Sequence, residues 1–137
     1  MKLLFVADPL ESFKTYKDTT FAMMREAQKR GHRISACEPQ DMRWLHGEGV
    51  TAQVRDIRLT GSASDWFETT TTRRVVLQAF DAIVMRKDPP FDSEYFYATH
   101  LLSQAEHDEQ AQAILITNDE AFADSVIAAV EAELASL

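Results

Sequence analysis

Ala82-Ile83-Val84-Met85-Arg86-Lys87-Asp88-Pro89-Pro90-Phe91-Asp92-Ser93-Glu94-Tyr95-Phe96-Tyr97 is the stretch that decides the fold. The unbroken apolar run Ala82 to Met85 predicts a strand covered on both faces. From Ser93 onward the pattern predicts a helix, capped by Asp92 or Ser93, with Tyr95, Ala98, Leu102 and Ala105 in one stripe. Between them lies a short charged turn. Asp88 is held extended by the proline that follows it, and Pro89 and Pro90 have fixed φ, so the turn is stiff. Strand, stiff turn, helix is the unit of an α/β sheet, and the edge where such strands end is where such sheets take ligands. Arg86, Lys87 and Asp88 are therefore candidate binding residues.

Working outward toward the N-terminus, Leu3 to Ala7 is a second unbroken apolar run, closed by Asp8-Pro9. Asp8 thus follows a strand, as Arg86, Lys87 and Asp88 do. Asp18, Thr19 and Thr20 are all residue types that cap a helix. Phe21, Met24, Ala27 and Gln28 share one face of a helix predicted over about residues 21–30, stopped by Gly31. Arg33 to Cys37 predicts the next strand, so the first forty residues read as β-α-β.

The middle of the chain has another texture. Met42 to His46 and Val50 to Leu59 are strand-like and flank Gly47-Glu48-Gly49, and residues 51–59 alternate polar with apolar. They predict an inserted β-hairpin. Residues 60–72, rich in Thr, Ser and Gly, read as a loop anchored by Trp66 and Phe67. Residues 73–80 read equally as a short strand or a helical turn. Beyond the opening stretch, Ala113 to Ile116 predicts another buried strand. Thr117-Asn118-Asp119-Glu120 then starts a helix over about 119–134 with Phe122, Val126, Val130 and Leu134 on one face. The expected architecture is α/β: one domain over 1–137, with three layers around a mostly parallel sheet of about four strands plus the hairpin.

Composition bounds what such a domain does. At 137 residues the chain suits one domain, which buries roughly two thirds of the surface its unfolded form exposes. The formal net charge of −8 argues against binding nucleic acid or an anionic membrane, both of which need basic surfaces. No stretch has the length of a membrane span, and the N-terminal apolar run is too short for a signal peptide. The single cysteine, Cys37, excludes an internal disulfide and reads as a small buried hydrophobe. These features place the protein in the cytoplasm.

The chemistry of the residues is narrower still. The chain's four glycines, Gly31, Gly47, Gly49 and Gly61, all lie outside the first strand-to-helix connection, so neither a dinucleotide fingerprint nor a P-loop is present. The four histidines show no metal-ligand spacing, and there is no nucleophile elbow. What remains is polar loops after strands: Asp8; Arg86, Lys87 and Asp88; and Asn118, Asp119 and Glu120. Two readings stay open. In one, these loops line a cleft for a small charged ligand. In the other, Arg86 pairs structurally with Asp88 or Asp8, and Asp119 is only a cap.

Three segments carry a resemblance. They are Val6-Ala7-Asp8-Pro9; Lys17-Asp18-Thr19-Thr20-Phe21-Ala22-Met23-Met24, continued by Glu26 to Gly31; and Met85 to Asp92, continued by Tyr95 and Tyr97-Ala98-Thr99. In this order and spacing they resemble the N-terminal domain of prokaryotic glutathione synthetase, over about residues 1–116. Gly47-Glu48-Gly49 and Asp65-Trp66-Phe67 look similar to that domain as well. The resemblance departs at the end, where residues 117–137 replace the family's continuation with an expected capping helix.

The resemblance implies a Rossmann-like fold of the kind that precedes ATP-grasp domains. It implies a role as the substrate-side part of a ligase that joins γ-glutamylcysteine to glycine using ATP and Mg²⁺. In such enzymes the nucleotide and metal groups lie in the other domains, so no cofactor is expected in this chain and it is not expected to be catalytic alone. Arg86, Lys87, Asp88 and Asp8 would border the dipeptide side of the cleft. The implied partners are a γ-glutamyl peptide and an ATP-grasp half or further copies of the chain, with no nucleic acid and no membrane. The alternative on the same fold is a non-catalytic binding or assembly module, or an engineered stand-alone domain.

Overall fold

The computed structural model describes residues 1–46, 49–62, 64–90, 92–105 and 113–115. Its centre is the pair of apolar runs recognised above. β1 (Lys2–Ala7) lies between β2 (Arg33–Cys37) and β6 (Ala82–Arg86), parallel to both, and β7 (Ala113–Leu115) extends the parallel set beyond β6. Leu3 stands opposite Ile34 on one side and Ala82 on the other. Alternate side chains of a strand point to opposite faces. Phe5 accordingly packs with Met24 and Ala27 of helix α1 (Thr19–Lys29), while Leu4 and Val6 pack with Tyr95, Ala98, Leu101 and Leu102 of helix α2 (Ser93–Ala105). The two helices thus cover opposite faces, which is why β1 is apolar from Leu3 to Ala7.

Both helices start where their sequences dictate, and α1 also stops where its sequence dictates. The Asp18 carboxylate accepts from the Phe21 amide at 2.9 Å, and Asp92 does the same for Tyr95 at 3.1 Å, each satisfying an amide that has no partner in its helix. At the end of α1, Gly31 takes φ +76°. The Gly31 amide donates to the Gln28 carbonyl and the His32 amide to that of Ala27, the paired bonds of a glycine-terminated helix.

The sheet departs from the expected mostly parallel one. It is mixed. β3 (Met42–Leu45) and β4 (Gly49–Leu59) form the predicted hairpin, and β4 also pairs antiparallel with β2 and with β5 (Phe67–Val76). β5 corrects the reading of residues 60–72 as a loop. Its four consecutive threonines are β-branched and suit a strand. Residues 69–74 are exposed, so no apolar alternation marks the strand. The ambiguous stretch 73–80 divides: β5 runs to Val76, and a 3₁₀ turn spans Leu77–Ala79. Asp56 pairs with Thr71 and Ile57 with Thr69, so Thr70 is an extra, bulged residue.

Trp66 and Phe67 anchor this region as expected. Trp66 is 5% exposed and packs against Phe13, Phe21 and Phe67, with ring centroids 5.5, 5.2 and 4.7 Å away. Its partners come from the loop after β1, from α1 and from β5, so one ring ties the hairpin side to the parallel side. Cys37 is buried, and burial pushes its thiol well above the usual range. Among the described residues no helix is long and apolar enough to cross a membrane. Ile116, the Asn118-Asp119-Glu120 loop and the expected helix over 119–134 lie outside the described residues.

Candidate functional site

The register of β1 against β6 sets Ala7 opposite Arg86. The residues that follow each strand therefore meet. Asp8 Oδ1 lies 2.8 Å from Lys87 Nζ, and Asp8 Oδ2 accepts from the Asp88 amide at 2.8 Å. Lys87 Nζ also donates to the Asp88 carbonyl at 3.3 Å. The hydrogen bond to the Asp8 carboxylate holds Lys87 above the usual lysine range, against the opposing effect of burial. Both side chains are largely shielded, so this is a fastening rather than a loose surface pair. The peptide bond between Pro89 and Pro90 is cis.

Arg86 is the last residue of β6, not part of the turn. Its guanidinium reaches the start of α1: Nε donates to Thr20 Oγ1 at 3.1 Å and Nη2 to Thr19 Oγ1 at 2.6 Å. A cleft of about 460 Å³ opens here, between the loop after β1, the start of α1 and the end of β6. Asp8, Arg86 and Asp88 line it, as do Asp18, Thr19 and Thr20. Lys14 and Lys17 add two further cations, and Phe13 supplies an apolar wall. Lys87 is turned toward Asp8.

The structure thus gathers Asp8, Arg86, Lys87 and Asp88 at one sheet edge and divides them. Asp8 and Lys87 bind each other, while Arg86 and Asp88 face the cleft with Asp8 at its rim. In the sequence Asp18, Thr19 and Thr20 read as caps, and Lys14 and Lys17 were not among the candidate site residues. The signal that finds them is positional: residues 8–20 leave β1 at the edge where β6 also ends, so their polar groups share its cleft.

Mixed charge with one apolar wall suits a small zwitterionic or multiply charged molecule. Arginine meets carboxylates through paired, charge-assisted hydrogen bonds, and the acids offer acceptors to an ammonium. Among the described residues, no three His, Cys, Asp or Glu side chains are grouped to hold a metal. Gly31, Gly49 and Gly61 take positive φ, and none of them lines this cleft.

Residues 1–122 match the family described as prokaryotic glutathione synthetase, N-terminal domain. The chain is 49% identical over 110 residues to glutathione synthetase of Neisseria meningitidis serogroup B, covering 77% of this chain and 34% of that protein. It is 49% identical over 106 residues to the Ralstonia nicotianae enzyme, covering 77% and 32%. It is 40% identical over 118 residues to that of Vibrio cholerae, covering 86% and 36%. The chain spans about a third of the length of the curated relatives it matches.

Proposed function

Since the chain belongs to the prokaryotic glutathione synthetase N-terminal domain family, we propose that it forms the substrate-side wall of a glutathione-synthetase-like ligase and binds a γ-glutamyl peptide. In that reading Arg86 meets a carboxylate of the dipeptide, with Asp88 and Asp8 bordering the same cleft and Lys87 fastening the loop. The observation that carries the reading is the placement of Arg86. It lines the cleft, and two threonine hydroxyls hold its guanidinium there. ATP and Mg²⁺ would be bound by an ATP-grasp half, on the same longer protein or on a partner, and this chain would not turn over alone. The opposed packing of α1 and α2 supports a three-layer, Rossmann-like arrangement of the kind that precedes ATP-grasp domains. The reading places the protein in the cytoplasm.

Calorimetric titration with γ-glutamylcysteine, glutathione and ATP tests this. The peptides should bind and ATP should not. Arg86→Ala should weaken peptide binding by about tenfold or more, the scale of a lost hydrogen bond to a charged group. Tight ATP binding, or peptide binding indifferent to Arg86, would overturn the reading.

One observation favours a second reading, an assembly module. Trp44, Phe96 and Tyr97 are 56%, 61% and 60% exposed and offer apolar surface to a partner. Here the chain would bind no peptide but would associate with copies of itself or with another subunit, as sedimentation would show.

A further inference from the structure

We propose that Thr19 and Thr20 are positioning residues for Arg86: their hydroxyls fix the plane in which its guanidinium meets a ligand carboxylate. The inference rests on the proposed peptide-binding role of Arg86 and extends it to residues that need touch no ligand.

Three observations converge. First, the two hydroxyls take adjacent donors, Nε and Nη2, on one edge of the guanidinium. A guanidinium is planar, with its donors fixed in a fork, so anchoring two of them on one edge sets the orientation of the whole group. Second, Thr20 is only 4% exposed. Its hydroxyl sits where water does not readily substitute for it, and a buried polar group without a partner is costly. Third, neither hydroxyl serves the role that the sequence gives such residues. The cap of α1 is the Asp18 carboxylate.

The consequence is pre-organisation. A free arginine side chain carries rotamer entropy, part of which a ligand must otherwise remove on binding. Here the fold removes it beforehand by tying the end of β6 to the start of α1. Serine retains the hydroxyl. Valine keeps the shape of threonine and loses it.

The test uses the full chain in four forms: the parent, Arg86→Ala, the double variant Thr19→Val with Thr20→Val, and the double variant Thr19→Ser with Thr20→Ser. Two quantities are read: the dissociation constant for glutathione in all four forms, and the Arg86 Nε–H resonance by ¹⁵N NMR in the three that keep the arginine. The valine pair should displace the Nε–H resonance and speed its exchange with water. It should also weaken glutathione about tenfold, the scale of hydrogen bonds to a charged group. The serine pair should restore both. A valine pair that binds glutathione as the parent does, while Arg86→Ala loses binding, overturns the positioning role and leaves the function standing. Equal binding by the parent and Arg86→Ala sinks the function instead. The resonance then still decides: if the valine pair leaves it unmoved, the positioning role fails too. Should the valine pair not fold, Arg86→Lys replaces it. It keeps the charge, loses the fork, and should bind as poorly as Arg86→Ala; binding like the parent overturns the proposal.

Discussion

Asp8 and Lys87 bind each other across the ends of two neighbouring strands, with Asp8 Oδ1 2.8 Å from Lys87 Nζ. The other Asp8 oxygen takes the Asp88 amide. One carboxylate therefore sets the first two residues of the turn that leaves β6. Asp8→Asn should destabilise the protein by about 1–2 kcal/mol in urea denaturation at neutral pH, since it removes a shielded ion pair and weakens a charge-assisted bond. The folded lysine is held above its ordinary value. Its contribution is present below about pH 10.4 and fades as pH rises through the folded value. The gap between parent and variant should therefore be flat from pH 7 to 9 and narrow above. A gap that widens in strong base would contradict the assignment.

Asp56 gives the opposite pH dependence. Burial opposes its ionisation, yet hydrogen bonds from Arg73, at 2.8 and 3.1 Å, and from Ser35, at 2.6 Å, hold its carboxyl below the usual value. Such a group stabilises the fold above its unfolded value of about 3.9, and that stabilisation is lost as pH falls through the folded value. Asp56→Asn should cost about 1–2 kcal/mol at pH 7. Thermal melts should show the difference shrinking below about pH 3.5, and an equal difference at pH 2.5 and pH 7 would refute the ion pair's role.

Cys37 should be inert while the protein is folded. Burial raises its thiol, and the charges of Asp41 and Glu38 raise it further, so the reactive thiolate is scarce. A thiol reagent such as dithionitrobenzoate should react slowly in buffer and at once in denaturant. Rapid stoichiometric reaction of the native protein would show that the strand is open.

Trp66 should be among the costlier residues to truncate. Trp66→Ala removes a ring buried against three others and should cost about 3–5 kcal/mol. Trp66→Phe should cost less, because ring stacking on Phe13 can persist. Equilibrium unfolding measures both, and equal losses would mean that the aromatic contacts are not what holds the hairpin side.

Legibility in the sequence followed burial. β1 and β6 were readable because each packs on both faces and so carries an unbroken apolar run. The hairpin was readable from its glycines and from the alternation in β4. β5 was not, because a strand exposed along residues 69–74 bears no periodic signal and its threonines resemble loop composition. In the candidate site, Arg86, Lys87, Asp88 and Asp8 stood out by their place after strands. Thr19 and Thr20 read locally as caps, because nothing local says that Asp18 takes that task.

By itself the sequence determined which segments other than β5 become strands and helices, where the charged turn after β6 lies, and which family its motifs resemble. Propensity, capping chemistry and apolar runs act over a few residues and are written there. Only the tertiary structure decided the pairings: Asp8 with Lys87, Arg86 with Thr19 and Thr20, and Trp66 with Phe13. Those partners lie far apart along the chain and meet because β1 and β6 lie side by side in one register. That register places Ala7 opposite Arg86 and so determines which side chain of the charged turn becomes a fastening and which one faces the cleft.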